Sequence, residues 1–182
     1  MLGNVHVSSV RVPLEDVWDS SCRHLYEYWN QCRGDNFAPT WTAFELSDLP
    51  PDCIRYSHVV DLHQTPFDIT FRFWGTELTD VLFYDRTGES LLSTNMGYLE
   101  DSRRRYVMAD YLEMLESQQP APFLWDASAT HEHTGKLVVP SLRVPISNNG
   151  LNVTQVATHF DFTDKRDTWE NLFQVHQRAS VK

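Results

Sequence analysis

The run Asp68-Ile69-Thr70-Phe71-Arg72-Phe73-Trp74-Gly75-Thr76-Glu77-Leu78, with Thr87-Gly88 beyond it, decides how the rest of the chain is read. Strict alternation sets Ile69, Phe71 and Phe73 on one face of a strand and Thr70, Arg72 and Trp74 on the other. That is the period of a strand with one buried side. Gly75 ends the pattern, because without a Cβ it allows a turn that other residues resist, and Thr76 is placed to cap a short helix from Glu77 to Phe83. Strand, sharp turn and helix form one unit.

Working back towards the N-terminus, Cys53 to His63 alternates as well and shares Ile54, Tyr56, His58, Val60 and Leu62 on one face. The Gln64-Thr65-Pro66 turn then joins it to the Phe71 strand as an antiparallel hairpin. Further back, Pro13 and the acidic pair Glu15-Asp16 open a helix. Trp18, Cys22, Leu25, Trp29 and Cys32 recur along it at steps of four and three, an apolar stripe that Gly34 stops. A connector punctuated by Pro39, Pro50 and Pro51 follows. Val5, Val7, Val10 and Val12 suit either an edge strand or a flexible arm.

Towards the C-terminus, Arg103 to Gln119 reads as a long helix with Val107, Met108, Tyr111, Leu112 and Leu115 in a stripe, ended by Pro120. Three strands are expected after it: Phe123 to Thr130, Leu137 to Ile146 and Val153 to Phe162. A turn at Gly135 and an Asn148-Asn149-Gly150 hairpin turn separate them. Val138, Leu142, Val144 and Ile146 share a face, as do Val156, Phe160 and Phe162, while Arg143, Gln155 and His159 point oppositely. Two strands, then helices, then three strands is an α+β order. A last helix carries Trp169, Leu172, Phe173 and His176 at helical spacing and needs a partner surface.

At 182 residues the chain is long enough for one domain with a sizeable core. A net charge of -10 opposes the counterion-release term behind general nucleic-acid binding, so DNA and RNA are not expected partners. No run of about 18 apolar residues is present, so no membrane partner is expected either. The first twenty residues lack a basic start followed by an apolar block, and Cys22, Cys32 and Cys53 form no CxxC pair, so a cytoplasmic location with free thiols is expected.

The order of Trp29, Cys32-Arg33-Gly34, the Leu49-Pro50-Pro51 turn, the Phe71 strand with Gly75, and Asp161-Phe162-Thr163-Asp164 resembles a bacterial PAS-type domain. More narrowly it is similar to the stand-alone PAS family in which a tryptophan helix precedes the sheet, though that helix lacks the longer basic tail usual there. The resemblance implies a PAS-like five-stranded antiparallel sheet with helices on one face and N- and C-terminal flanking helices. Residues 1–24 would be an arm and the start of a helix, 25–164 the PAS-like domain and 165–182 the C-terminal helix. It also implies a sensor that binds a small ligand and relays occupancy through the flanking helices to a signalling protein partner, without catalysis. The Arg103 to Gln119 helix holds no histidine for haem and no Asn-Cys-Arg-Phe sequence is present to bond flavin, so the expected ligand is an unidentified small molecule rather than a named cofactor.

The expected ligand-binding residues are Phe71, Phe73, Tyr111, Trp125, Arg143, His159 and Phe160, aromatic walls with a few polar groups as small-molecule sites have. The competing reading is that they fill the core, leaving a ligand-free adaptor. Trp18, Trp29, Trp169 and Phe173 are expected on a homodimer or partner surface. His131-Glu132-His133, with His159, offers a second alternative, a small metal-dependent enzyme; against it, the tract sits beside the Gly135-Lys136 turn, and no metal site is expected. Arg103-Arg104-Arg105 opens a helix where positive charge is disfavoured, which suggests an anion or an acidic partner nearby, or simply a solvated face.

Overall fold

The strand at the centre of the sequence reading contains a bulge that alternation alone does not reveal. In the computed structural model, which describes residues 5–82, 85–92, 101–129 and 136–168, strand β2 (Ser57–Gln64) pairs antiparallel with β3 (Phe67–Trp74). His58 faces Trp74, Val59 faces Phe73, and Val60 faces Phe71, so Arg72 is the extra residue. The slip returns Trp74 to the side of Ile69 and Phe71 and sends Phe73 to the opposite side. Arg72 points outward and pairs with Asp61 at 2.8 Å.

Among the described residues the sheet has six strands, not five. Val5–Arg11 (β1) pairs with Ala121–Ala129 (β4), followed in spatial order by Lys136–Ile146 (β5), Gln155–Phe160 (β6), β2 and β3. Every neighbouring pair is antiparallel. The last two strands begin and end close to expectation, and the expected Asn148-Asn149-Gly150 turn lies within a link of residues 147–154. Asn149 Oδ1 accepts from the backbone N–H groups of Leu151 and Asn152 there, and Gly150 takes φ 69°. The free edge of β3 is covered by residues 88–91, whose backbone exchanges hydrogen bonds with Phe71 and Ile69.

Helices cover both faces of the sheet, which corrects the one-sided arrangement expected. Helix α1 (Cys22–Arg33) and the short α2 (Pro51–Arg55) lie over one face. There Leu25, Trp29, Phe44 and Cys53 pack on Val59, Leu142, Val144, Ile146 and Ala157. On the other face α3 (Thr76–Leu82) and α4 (Asp101–Ser117) contribute Leu78, Val81, Tyr111 and Met114 against Val60, Ile69, Phe71, Val139 and Val156. All of β6 is therefore buried, as a strand with two covered faces must be. Met114 takes the core position expected of Leu112, which is exposed.

Two helix starts also differ from expectation. The stripe beginning at Trp18 is split: Leu14–Val17 is one 3-10 turn, and α1 starts only at Cys22, after Asp19-Ser20-Ser21. Cys53 to Arg55 belongs to α2, begun by Pro51 at its first position, so β2 starts at Ser57. Gly75 is required for space rather than for its dihedral freedom. A Cβ there would sit 2.2 Å from the Arg55 carbonyl oxygen, where α2 crosses the end of β3.

Candidate functional site

Register places one polar or indole side chain from each of four adjacent strands in a row beneath α4. Trp74 on β3 faces His58 on β2, His58 faces Thr158 on β6, and Thr158 faces Arg143 on β5. The row crosses about 14 Å of sheet. All four residues are buried, Arg143 at 8% exposure and Thr158 at 0%. Among the described residues, none makes a well-formed hydrogen bond to His58 Nδ1, Trp74 Nε1, Arg143 Nε or Thr158 Oγ1. Buried polar atoms are nearly always paired, since leaving one unpaired costs on the order of 1–3 kcal/mol.

Two other groups of the row are paired. Arg143 Nη1 donates to Asp110 Oδ2 of α4 at 2.8 Å, and its guanidinium lies 4.3 Å from the Phe123 ring centre and 5.0 Å from that of Tyr111. His58 Nε2 and the Tyr111 hydroxyl are 3.0 Å apart. Burial, and then the Arg143 charge, pull the His58 pKa from 6.5 down to about 3, so the ring is neutral. Burial pushes the Tyr111 phenol up, opposed by Arg143 and by Thr158, whose hydroxyl lies close without making a well-formed bond. His58 is stacked on Trp74 with 6° between ring planes, Phe71 meets both rings nearly at right angles, and Phe160 lies against His58 and Trp125. The result is a polar strip walled by aromatic rings.

Of the seven residues expected to bind a ligand, Phe71, Tyr111, Trp125, Arg143 and Phe160 are gathered on this face. Phe73 and His159 are not: the bulge turns Phe73 to the α1 face, and His159, adjacent to Phe160 on β6, must point away from it. His58, Trp74, Thr158 and Asp110 were missed. His58 carried a signal, a histidine in the middle of the apolar side of β2.

His159 joins a separate network at the start of α1. Its Nδ1 lies 3.0 Å from the Cys53 carbonyl oxygen, which fixes the proton on that nitrogen, so Nε2 accepts from the Ser21 hydroxyl at 2.6 Å. Burial pulls its pKa from 6.5 down to about 4. A Ser-His pair suggests nucleophilic catalysis, but the Ser21 backbone N–H already donates to Asp161 Oδ2, and a carboxylate there opposes a developing oxyanion. The network instead holds the first turn of α1 against β6. Asp161 Oδ1 also accepts from the Thr163 backbone N–H, and those bonds hold its carboxyl below its usual pKa despite burial.

Trp29 is buried at 3% exposure within its own chain and donates from Nε1 to the Pro145 carbonyl at 2.7 Å, so it is not available to a partner surface as expected. Trp18 is half-buried, edge-on to Tyr26, and lines a surface hollow of about 420 Å³ with Leu14, Glu15 and Asp19. Trp169, Phe173 and the His131-Glu132-His133 tract lie outside the described residues, as do the side chains of Arg103-Arg104-Arg105. Among the described residues no group of three metal-ligating side chains occurs, and no helix is long and apolar enough to cross a membrane. The fold is thus of the α+β class, an open antiparallel sheet of six strands between helices. No family model matches the chain, and no curated protein or solved structure matches it.

Proposed function

We propose that the protein is a PAS-like sensor domain that seats a small ligand on the α4 face and relays its presence through the terminal helices to a protein partner. The observation that carries the reading is the row of four unpartnered polar atoms walled by rings, which is chemistry suited to recognition and costly in a core that only packs. The hairpin β2-β3 and the meander β4-β5-β6, joined through β2 and β6, support the reading, although β1 adds a strand beyond the five that the resemblance implies.

A relay route is supported by contacts. Trp74 ends β3 and leads through Gly75 into α3, where Glu77 and Asp80 both pair with Arg166 of the C-terminal segment. Asp161 holds Ser21 of the N-terminal helix entry and Thr163 of the C-terminal segment together. A ligand biases these contacts only insofar as it binds one arrangement better than another.

Native mass spectrometry of freshly purified protein tests the reading, followed by hydrogen exchange at Thr163 to Thr168 before and after the bound molecule is stripped. A released small molecule and altered exchange are expected. An empty protein would overturn the proposal, and so would exchange unchanged by stripping.

A further inference from the structure

We infer that the row Trp74, His58, Thr158 and Arg143 selects an uncharged, planar ring compound bearing carbonyl oxygens; this rests on the ligand-sensor reading and supplies the chemistry of its ligand. The indole Nε1 and the guanidinium Nε only donate hydrogen bonds, so two of the four unpartnered atoms require acceptors. The Thr158 hydroxyl and His58 Nδ1 adapt to either role. A ligand with carbonyl oxygens on a rigid frame meets these groups. A hydrocarbon leaves both donors stranded.

Charge argues for a neutral molecule. Arg143 already has its carboxylate, Asp110, at 2.8 Å, and His58 is neutral, so among the described residues of the row a buried anion would find no uncommitted counter-charge. A cation would meet the Arg143 guanidinium directly. The walls argue for a flat ring, because the row is lined with aromatic rings: His58 and Trp74 are stacked on each other, and Phe71, Phe123 and Phe160 meet their neighbours edge-on or tilted. A lining of this kind favours contact with another ring, by its outer faces and edges.

The test compares three probes of one ring size on the full chain by calorimetry and tryptophan quenching. They are a dimethyl-naphthoquinone whose substituents block attack by the free thiols, the matching dimethyl-naphthalene, and a naphthoate. The quinone is expected to bind about tenfold tighter than the hydrocarbon, the value of one or two neutral hydrogen bonds, with naphthoate the weakest. Trp74→Phe, which keeps a ring and removes the donor, should erase roughly threefold to tenfold of that preference, and Thr158→Val provides an isosteric second variant. Hydrocarbon binding as tightly as the quinone, naphthoate binding tightest, or binding of none of the three would overturn the inference. Native mass spectrometry separates the failures: a co-purified anion sinks the ligand class and leaves the sensor reading intact, whereas a protein empty of all but water sinks both.

Discussion

Two neutral histidines inside the protein make its stability fall with acidity, by an amount that can be worked out. His58 and His159 are fully enclosed, with pKa values pulled by burial from 6.5 to about 3 and about 4. In the unfolded chain each takes up a proton as pH drops through 6.5, while the folded protein refuses it until the lower value is reached. Stability is therefore whole above the unfolded pKa and is lost as pH falls below it, by about 1.4 kcal/mol per pH unit for each histidine. Between about pH 7.5 and pH 5 each contributes a loss of roughly 2 kcal/mol, about 4 kcal/mol for the pair, set by the unfolded value because both folded values lie lower. Asp161 acts in the same direction only at lower pH, since its folded carboxyl is held below the usual range. Urea unfolding at several pH values measures the loss, and His58→Phe, which keeps a ring but cannot titrate, isolates one half of it. If wild type and His58→Phe lose stability in parallel over that interval, His58 is not a buried neutral group and the description of the site is wrong.

Gly75→Ala should destabilise the fold by about 1–3 kcal/mol through the clash with the Arg55 carbonyl, read as a lower urea midpoint; an unchanged midpoint would refute the close approach. Trp29→Phe should cost roughly 2 kcal/mol by stranding the Pro145 carbonyl and leaving a void, and should not alter oligomeric state in light scattering. Arg166→Ala removes the pairing with Glu77 and Asp80, so faster hydrogen exchange at residues 165–168 is expected with less than about 1 kcal/mol of global stability lost.

The order of elements and most strand positions were legible because alternation and helical spacing are local signals. The bulge at Arg72 was not, since nothing between Ile69 and Trp74 distinguishes a regular strand from one with an extra residue; only the partner strand reveals it. Trp29 in the apolar stripe of α1 was assigned to a dimer or partner surface, but its cover is the second face of the chain's own sheet, a non-local fact that local spacing does not reveal. Local cues were present for two misplaced boundaries: Asp19-Ser20-Ser21, just before α1, are residue types favoured at helix starts, and Pro50-Pro51-Asp52 is a helix start. Four site residues, Phe71, Tyr111, Trp125 and Phe160, came from aromatic patterning and Arg143 from strand alternation, whereas Thr158 and Asp110 join the site only through register and helix docking.

High-resolution diffraction from protein purified without stripping tests the central claim most directly. Flat, non-water density accepting hydrogen bonds from Trp74 Nε1 and Arg143 Nε is the predicted result. Those two donors bonded only to isolated waters, or turned onto partners of the chain itself, would contradict it.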